Sequence, residues 1–212
     1  MSSSITTNAA CASEPHYDAI VDAIAEQGFW TGREAFPKDL AFALHSEAAA
    51  DKKYTPAGIG RAGAHRLDST TRGDGIRWIE APGSTAEADF LSWMEGLRQC
   101  VNRALYLGLF DYEAHFARYQ PGAFYKRHLD AFTGQTNRRL STVLYLNPDW
   151  SDDDGGELLL YRDPQATQPI LSVSPHIGTL VVFLSTDFPH EVLAAQRARH
   201  SIAGWFRVNG GP

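Results

Sequence analysis

Hydrophobic residues recur with a helical period over the first half of the chain. The first such run ends at Gly28, a residue type that commonly terminates helices. Its apolar positions are Tyr17, Ile20, Val21 and Ile24. Pro37 favours a helix start, so a second helix is predicted through KDLAFALHSEAAA. The strongest prediction is a helix over residues 85–107, because Ser84 and Glu87 have the spacing of a capping box. Its apolar face consists of Phe90, Met94, Leu97, Val101 and Leu105.

After residue 107 the pattern changes to short segments rich in β-branched and aromatic residues. Pro, Gly, Asn and Asp separate these segments, which is typical of strands joined by turns. The segments are FDYEAHFARYQ, LSTVLYLN, GELLLYRD, TLVVFLS and HSIAGWFRV. Helices followed by many short strands predict an α+β fold with a mainly β core, in which helices pack on a sandwich or barrel.

Length and charge narrow the class of protein. The chain has 212 residues and a formal net charge of −6. We expect a disordered leader over residues 1–13 and a single domain over residues 14–212. The negative charge gives no general attraction to nucleic acid or to anionic membranes. No apolar stretch approaches the roughly 20 residues of a membrane span.

The first residues and the cysteines predict a cytoplasmic location. The start of the chain has neither the basic nor the apolar segment of a signal peptide. The two cysteines, Cys11 and Cys100, do not have the spacing of a metal motif. Because Cys11 lies in the predicted leader, no structural disulfide is expected, as is usual in a reducing compartment.

Two motifs and six histidines are given ordinary structural interpretations. Residues 58–63 match G-x-G-x-x-G, but the strand and helix that a dinucleotide site requires do not flank them. DWSDDDGGE has acidic residues without the EF-hand spacing, which favours a solvated turn. The histidines interpreted as surface or core residues are His16, His45, His65, His115, His176 and His200.

A metal site is predicted from two separate segments. His128 and Asp130 are two residues apart, so on a strand they project from one face, roughly 6.6 Å apart. His190 follows a strongly apolar predicted strand, where a polar residue indicates a function. Two histidines and one carboxylate form the facial triad of non-haem Fe(II) oxygenases. Zinc would accept the same ligands, so the triad alone does not identify the metal.

Arg199 favours the oxygenase interpretation. It follows His190 by nine residues, on the next predicted strand. A buried arginine is costly unless it meets an anion, and its planar guanidinium suits a carboxylate held by two hydrogen bonds. Tyr145 could add a phenolic hydrogen bond to the same carboxylate. Arg199 and Tyr145, together with the metal residues His128, Asp130 and His190, thus indicate a dicarboxylate cosubstrate beside a metal.

This combination resembles the 2-oxoglutarate-dependent Fe(II) oxygenases, whose fold is a double-stranded β-helix, a jelly roll related to the cupins. RYQPGAFYKRHLD, STVLYLNPDW, GGELLLY, FPHEV and RGDGIRWIE are similar to segments of the hypoxia-inducible-factor type of prolyl 4-hydroxylase. The resemblance covers roughly residues 17–208 and implies supporting N-terminal and central helices. Collagen-type enzymes have a lysine in place of Arg199, and nucleic-acid demethylases have a second arginine in place of Trp205. The loop of residues 52–71 has its own sequence, which leaves the target open.

The resemblance implies the following cofactor and cosubstrate residues. His128, Asp130 and His190 would bind iron. Arg199 and Tyr145 would bind 2-oxoglutarate, with Tyr119 near its metal-chelating end.

It also implies a substrate pocket. Tyr125 and Trp205 would form walls around the target proline ring, and Arg138 would hold its backbone carbonyl. We expect Asp74 to pair with Arg138, beside a mobile loop at residues 52–75 that closes on a peptide. From the pattern alone, Tyr119 and Tyr125 could be core residues, and a tryptophan on an apolar strand, as at Trp205, is more often a packing residue.

The implied activity is hydroxylation at C4 of a prolyl residue in a cytosolic protein, coupled to conversion of O2 and 2-oxoglutarate into CO2 and succinate. Ascorbate would support turnover, and an oxygen-sensing role is implied. Elongation factor Tu is the target that the bacterial members suggest. One alternative is a hydroxylase of a free amino acid or small molecule. The other is a cupin-like sensor that binds metal without turnover, but it would not need Arg199 and Tyr145.

Overall fold

The computed structural model describes residues 16–50, 53–58, 70–131 and 137–209. Within these ranges lie three α-helices, close to the predicted bounds: α1 (Tyr17–Gln27), α2 (Lys38–Ala49) and α3 (Thr85–Leu105). Gly28 ends α1 in the left-handed region with φ 84°, which glycine adopts without steric cost. The predicted leader lies outside the described residues.

The start of α3 forms only half of the predicted capping box. Ser84 Oγ accepts a hydrogen bond from the backbone N–H of Glu87 at 3.2 Å. The Glu87 carboxylate does not return to Ser84. It is buried and accepts hydrogen bonds from Arg77 Nη1 at 2.9 Å and from the backbone N–H of Gly83 at 2.6 Å. The partner of a buried carboxylate is therefore a cation of the neighbouring sheet, which satisfies its charge better than a single amide.

Eleven strands form in the described part of the chain, and the sequence predicts five of them. The predicted ones are β4 (Leu109–Tyr119), β6 (Arg138–Tyr145), β7 (Leu158–Leu160), β9 (Leu180–Leu184) and β11 (Arg199–Val208). The others are β1 (Phe29–Gly32), β2 (Thr55–Pro56), β3 (Asp74–Trp78), β5 (Tyr125–His128), β8 (Leu171–Val173) and β10 (His190–Val192). A short 3₁₀ helix, Asp152–Asp154, lies in the acidic turn.

The strands form two antiparallel sheets. The major sheet has the order β1-β9-β6-β11-β4-β3-β2, and the minor sheet has the order β5-β10-β7-β8. From β4 to β11 the chain passes repeatedly between the sheets, as in a jelly roll, with the hairpin β7-β8 contained in the minor sheet. The predicted fold class, a mainly β jelly roll with supporting helices, is confirmed.

Alternating residues of the major sheet enter two separate cores. Leu140, Leu144, Ile202 and Phe206 pack against the three helices. The inner face of the major sheet, which faces the minor sheet, includes Tyr119, Tyr145, Val181 and Phe183. The period of two along β4, β6, β9 and β11 therefore fixes which side chains enter the space between the sheets.

Cys100 on α3 is disulfide-bonded, so the expectation of no structural disulfide is wrong. Cys11, the only other cysteine of the chain, lies outside the described residues. Cys100 is buried in the core cluster to which α1 and α3 contribute. Among the described residues, none of the helices has the length and apolarity that a membrane crossing requires.

Replacement of Ser84 by Ala should lower the free energy of unfolding by about 1 kcal/mol, because the first turn of α3 loses its side-chain acceptor. Ser46→Ala is the matched control, since Ser46 Oγ bonds only the carbonyl of Phe42 within α2 and is not a cap. Urea unfolding followed by circular dichroism measures both. Equal stability of the two variants would contradict a capping role for Ser84.

Candidate active site

Three metal-binding side chains converge where the minor sheet meets the major sheet. His128 ends β5, Asp130 lies two residues beyond it, and His190 begins β10. His128 and His190 are direct partners in the antiparallel ladder of β5 and β10. One nitrogen from each imidazole and one oxygen of Asp130 all lie within 4.8 Å of one another. The structure therefore brings together the three residues that the sequence predicts as metal ligands.

Backbone carbonyls orient both imidazoles. His128 Nδ1 lies 2.8 Å from the carbonyl oxygen of Lys126, and His190 Nδ1 lies 3.0 Å from that of Phe188. A carbonyl only accepts, so Nδ1 carries the proton in both rings and Nε2 keeps its lone pair. The two Nε2 atoms lie 3.6 and 3.7 Å from the carboxylate oxygens of Asp130. This arrangement suits coordination through Nε2.

The protonation states also favour ligation. Burial and the adjacent His128 lower the pKa of His190 to about 4, which keeps its imidazole neutral near pH 7. Burial acts to raise the pKa of Asp130, but His190, His128 and the Ser141 hydroxyl hold it well below its usual range. A neutral imidazole and an ionised carboxylate are the forms that bind a metal.

Packing fixes the three side chains in place. The ring of Tyr125 stacks on that of His128 with 3.6 Å between centroids, and Phe183 meets His190 edge-on at 4.8 Å. Ser141 Oγ donates to Asp130 Oδ2 at 2.6 Å and shares a second hydrogen bond with the Ser185 hydroxyl. Sequence reasoning missed Ser141, because a serine inside an apolar strand has no distinctive spacing. Its alternation with Val143 and Tyr145 is the signal that could have identified it.

Arg199 lies on the inner face with two nitrogens that no group of the described residues satisfies. It is 1% exposed, and its Nε and Nη1 have no hydrogen-bond partner. Its guanidinium lies 4.7 Å from the ring centroid of Tyr119 and 5.1 Å from that of Tyr145. The Tyr145 hydroxyl is also buried without a partner, and burial raises the pKa of this phenol, which keeps its proton available for donation. Tyr119 pairs with Arg199 across β4 and β11.

Thr179 is a further residue of this group that the sequence does not reveal. Its backbone carbonyl accepts the N–H of Tyr145, and it precedes the inner-face residues Val181 and Phe183 at the strand period. Its hydroxyl is buried and has no hydrogen-bond partner. Arg199, Tyr145 and Thr179 are thus three buried polar residues with hydrogen-bonding capacity that the described residues leave unused, a combination that suits an anion.

The predicted substrate residues occupy the same face beyond the triad. The guanidinium of Arg138 lies 3.6 Å from the Trp205 ring centroid, and Trp205 Nε1 is buried without a partner. The predicted pair between Asp74 and Arg138 is wrong. Asp74 is held by Arg72, with contacts of 2.6 and 2.9 Å, and Arg138 is held by Glu113 at 2.8 Å. Arg72 and Asp74 are two residues apart on extended chain, so their side chains share a face.

His115 and Trp78 extend this surface, and sequence reasoning assigned neither to it. His115 is buried on β4, and its ring lies 5.0 Å from that of Trp78 and 5.5 Å from that of Trp205. Burial, with the nearby charge of Arg72, lowers the pKa of His115 to about 4. Trp78 is 42% exposed. Residues 52 and 59–69 of the predicted mobile loop lie outside the described residues, while Thr55–Pro56 and Asp74–Trp78 are strands.

The chain belongs to the 2OG-Fe(II) oxygenase superfamily, whose enzymes use Fe(II), 2-oxoglutarate and O2. A sequence profile of that superfamily matches residues 114–207, which contain the triad, Tyr145 and Arg199. The chain is similar in particular to a prolyl 4-hydroxylase of Pseudomonas putida. The two are 41% identical over 92% of this chain and 100% of the other, with a TM-score of 0.80.

Two other matches are weaker: one covers only a short segment, and the other has a lower sequence identity. A segment of 76 residues is 40% identical to the prolyl 3-hydroxylase OGFOD1 of Xenopus laevis, and it covers 32% of this chain but only 15% of that protein. A prolyl hydroxylase of Trichoplax adhaerens, solved with a hypoxia-inducible-factor peptide, aligns with 90% of this chain and 88% of its own. Its TM-score is 0.67 at 23% identity, which shows a shared fold. The predicted prolyl-hydroxylase type of 2-oxoglutarate oxygenase is confirmed.

The residues present fit the cofactors of this superfamily. Two imidazoles and one carboxylate leave three positions of an octahedral Fe(II) ion for other ligands. The unsatisfied nitrogens of Arg199 and the hydroxyls of Tyr145 and Thr179 suit the distal carboxylate of 2-oxoglutarate.

Arg199→Lys and Tyr145→Phe should both weaken 2-oxoglutarate binding. Lysine keeps the charge but loses the planar pair of donors, and phenylalanine removes a hydrogen bond to a charged group, worth about 1.5–3 kcal/mol or at least tenfold in affinity. Calorimetric titration of Mn(II)-loaded protein with 2-oxoglutarate measures this. Tyr106→Phe, at an exposed tyrosine, is the control. Parental affinity in both variants would show that other residues hold the carboxylate.

Thr179→Val should have effects of opposite sign on stability and binding. Without ligand, the variant loses a buried, unsatisfied hydroxyl, so its free energy of unfolding should rise or stay constant. Its affinity for 2-oxoglutarate should fall several-fold, because a hydroxyl that could donate to the carboxylate is lost. Urea unfolding and the same calorimetric titration give the two quantities. Lower stability with unchanged affinity would mean that Thr179 is only a packing residue.

Proposed function

We propose that this protein is a prolyl 4-hydroxylase that acts on a prolyl residue of another protein. The observation that carries the proposal is a buried guanidinium with unsatisfied nitrogens on the major sheet, in the same chain as a His-Asp-His cluster whose two histidines lie on the minor sheet. The similarity to the Pseudomonas putida prolyl 4-hydroxylase, which extends over nearly the whole chain, supports both the reaction and its position on the proline ring.

In this proposal His128, Asp130 and His190 hold the iron, and Arg199 and Tyr145 hold the distal carboxylate of 2-oxoglutarate. Tyr119 lies nearer the chelating end. When bound, iron and 2-oxoglutarate activate O2, so that one oxygen atom enters the substrate C–H bond and the other enters succinate as CO2 is released. The chain itself orients these groups and excludes water: Tyr119, Tyr145 and Arg199 are all at most 5% exposed.

The substrate pocket is proposed to lie between Tyr125 and Trp205. Proline has no backbone N–H, so its recognition depends on apolar contact with the ring and on a donor for its carbonyl. Trp205 and the stacked ring of Tyr125 provide apolar walls. Arg138, held flat over Trp205 and fixed by Glu113, provides donors in a defined orientation. Asp74 acts through Arg72, with which it forms an ion pair. The guanidinium of Arg72 lies 4.6 Å from the Tyr125 ring centroid.

The target is proposed to be a cytosolic protein, with elongation factor Tu as the first candidate. The exposed Trp78, next to His115 and Trp205, continues the pocket outward and gives a polypeptide more to contact than a free amino acid would need. The cytoplasmic location and an oxygen-sensing role stay predictions.

The direct test is a reaction of purified protein with Fe(II), 2-oxoglutarate, ascorbate and O2 in a cytosolic lysate that contains elongation factor Tu. Mass spectrometry should find a gain of about 16 Da, one oxygen atom, on a proline of a protein only when 2-oxoglutarate is present. Fragment ions and comparison with hydroxyproline standards separate C4 from C3 products. The gain on free amino acids instead would identify a small-molecule hydroxylase, and metal binding without succinate formation would identify a sensor.

Arg138→Ala should reduce hydroxylation of the protein substrate by at least tenfold, since an Arg contact to a substrate carbonyl is lost. Metal binding and slow, substrate-independent 2-oxoglutarate decarboxylation should be unchanged. Arg139→Ala is the matched control, because the neighbouring Arg139 is exposed. Equal loss of hydroxylation and of uncoupled decarboxylation would show that Arg138 supports the fold of the site and does not bind substrate.

A further inference from the structure

The strands that carry the proposed metal ligands are short. β5 has four residues and lies at the edge of the minor sheet, with β10 as its one neighbour there. Residues 71–73 lie along its other side and add the Arg72–Tyr125 bridge and two backbone hydrogen bonds. β10 has three residues between β5 and β7, and its register with β5 shifts between His190 and Val192. A metal site requires its ligands at fixed separations, and ladders this short leave part of that restraint to side-chain contacts.

The reverse face of these strands has a second set of contacts. Arg127 and Glu191 each neighbour a metal-site histidine in sequence, so their side chains leave the opposite face of the sheet. Arg127 Nη2 lies 3.5 Å from Glu191 Oε1, across β5 and β10. The Tyr161 hydroxyl donates to the same oxygen at 2.5 Å. The guanidinium of Arg127 lies 3.3 Å from the centroid of the Tyr161 ring.

Arg127 also connects β5 to the loop that follows β7. Its Nη1 donates to the carbonyl oxygen of Ala166 at 2.7 Å and to that of Pro164 at 3.3 Å. One planar group therefore contacts a carboxylate on β10 and, in the connection that follows β7, an aromatic ring and two carbonyls. A lysine at this position could not make all of these contacts, because only the guanidinium is both planar and multiply donating.

We propose that Arg127, Glu191 and Tyr161 form a brace on the reverse face of the minor sheet that sets the spacing of His128 and His190 and thereby the metal affinity. All three are positioning residues, since they act through the histidine-bearing strands and do not touch the metal. The inference rests on the proposed function of the triad. It goes beyond that function by assigning a role to three residues outside the site.

The brace acts on geometry more than on global stability. Arg127 and Glu191 remain 29% and 24% exposed, and partly exposed ion pairs contribute little to folding. Residues that orient metal ligands from behind typically change metal affinity about 10- to 100-fold when they are replaced. The brace therefore predicts a large effect on metal binding with a small effect on unfolding, whereas a merely structural role would reduce stability first.

The test measures Mn(II) affinity and thermal unfolding of the metal-free full chain. Arg127→Ala and Glu191→Gln should each weaken Mn(II) binding about tenfold or more, with the melting temperature within a few degrees of the parent. Tyr161→Phe should weaken binding less, and Arg127→Lys should recover only part of the loss. Arg127→Ala combined with Tyr161→Phe should cost less than the sum of the two, because the groups act together.

Arg197→Ala is the matched control. Arg197 is also an exposed arginine that pairs with a carboxylate, Asp154, and stacks near an aromatic ring, Trp150 at 5.2 Å, but it contacts neither β5 nor β10. Parental Mn(II) affinity in Arg127→Ala and Glu191→Gln would overturn the brace. Failure of the parent protein itself to bind Mn(II) would instead refute the proposed function. If Arg127→Ala does not fold, the conservative variants Glu191→Gln and Tyr161→Phe decide the question.

Discussion

The inner face depends on one constraint, a buried guanidinium that forms no ion pair within the described part of the chain. Burial of a charge is costly unless it meets an opposite charge, and Arg199 is 1% exposed with two unpaired nitrogens. The surroundings are fitted to this side chain. Tyr119 and Tyr145 flank it, and Gly156, with φ 78°, leaves room where a Cβ would come within 3.2 Å of Arg199 Cδ. Such a cost is tolerated where an anionic ligand compensates it, which connects the fold to 2-oxoglutarate.

The two sheets have different tasks in this account. The major sheet carries the residues proposed to bind the cosubstrate on long central strands, β6 and β11, whose extensive ladders keep the side chains of Tyr145 and Arg199 in register. The minor sheet holds two imidazoles on strands of three and four residues, which require support from the carbonyls of Lys126 and Phe188. Asp130 joins the two sheets, because its carboxylate accepts the hydroxyl of Ser141 from β6.

The sequence predicts those parts of the structure whose signal repeats along the chain. The helices and the strands β4, β6, β9 and β11 have a clear period, and the triad with Arg199 has a specific spacing. Strands β5, β8 and β10 are too short for a period to appear. Ser141 and Thr179 are small polar residues whose importance depends on neighbours from other strands, so the sequence of their own strand does not identify them. The predicted pair of Asp74 and Arg138 is wrong because Arg72, two residues away, forms the ion pair with Asp74 instead.

The central claim is that His128, Asp130 and His190 bind one divalent metal ion. Electron paramagnetic resonance of Mn(II), titrated into the metal-free protein, tests it most directly. Asp130→Ala should abolish stoichiometric binding while circular dichroism shows an intact fold. Asp187→Ala, at an exposed carboxyl three residues before His190, should bind like the parent. Undiminished Mn(II) binding by Asp130→Ala would contradict the account.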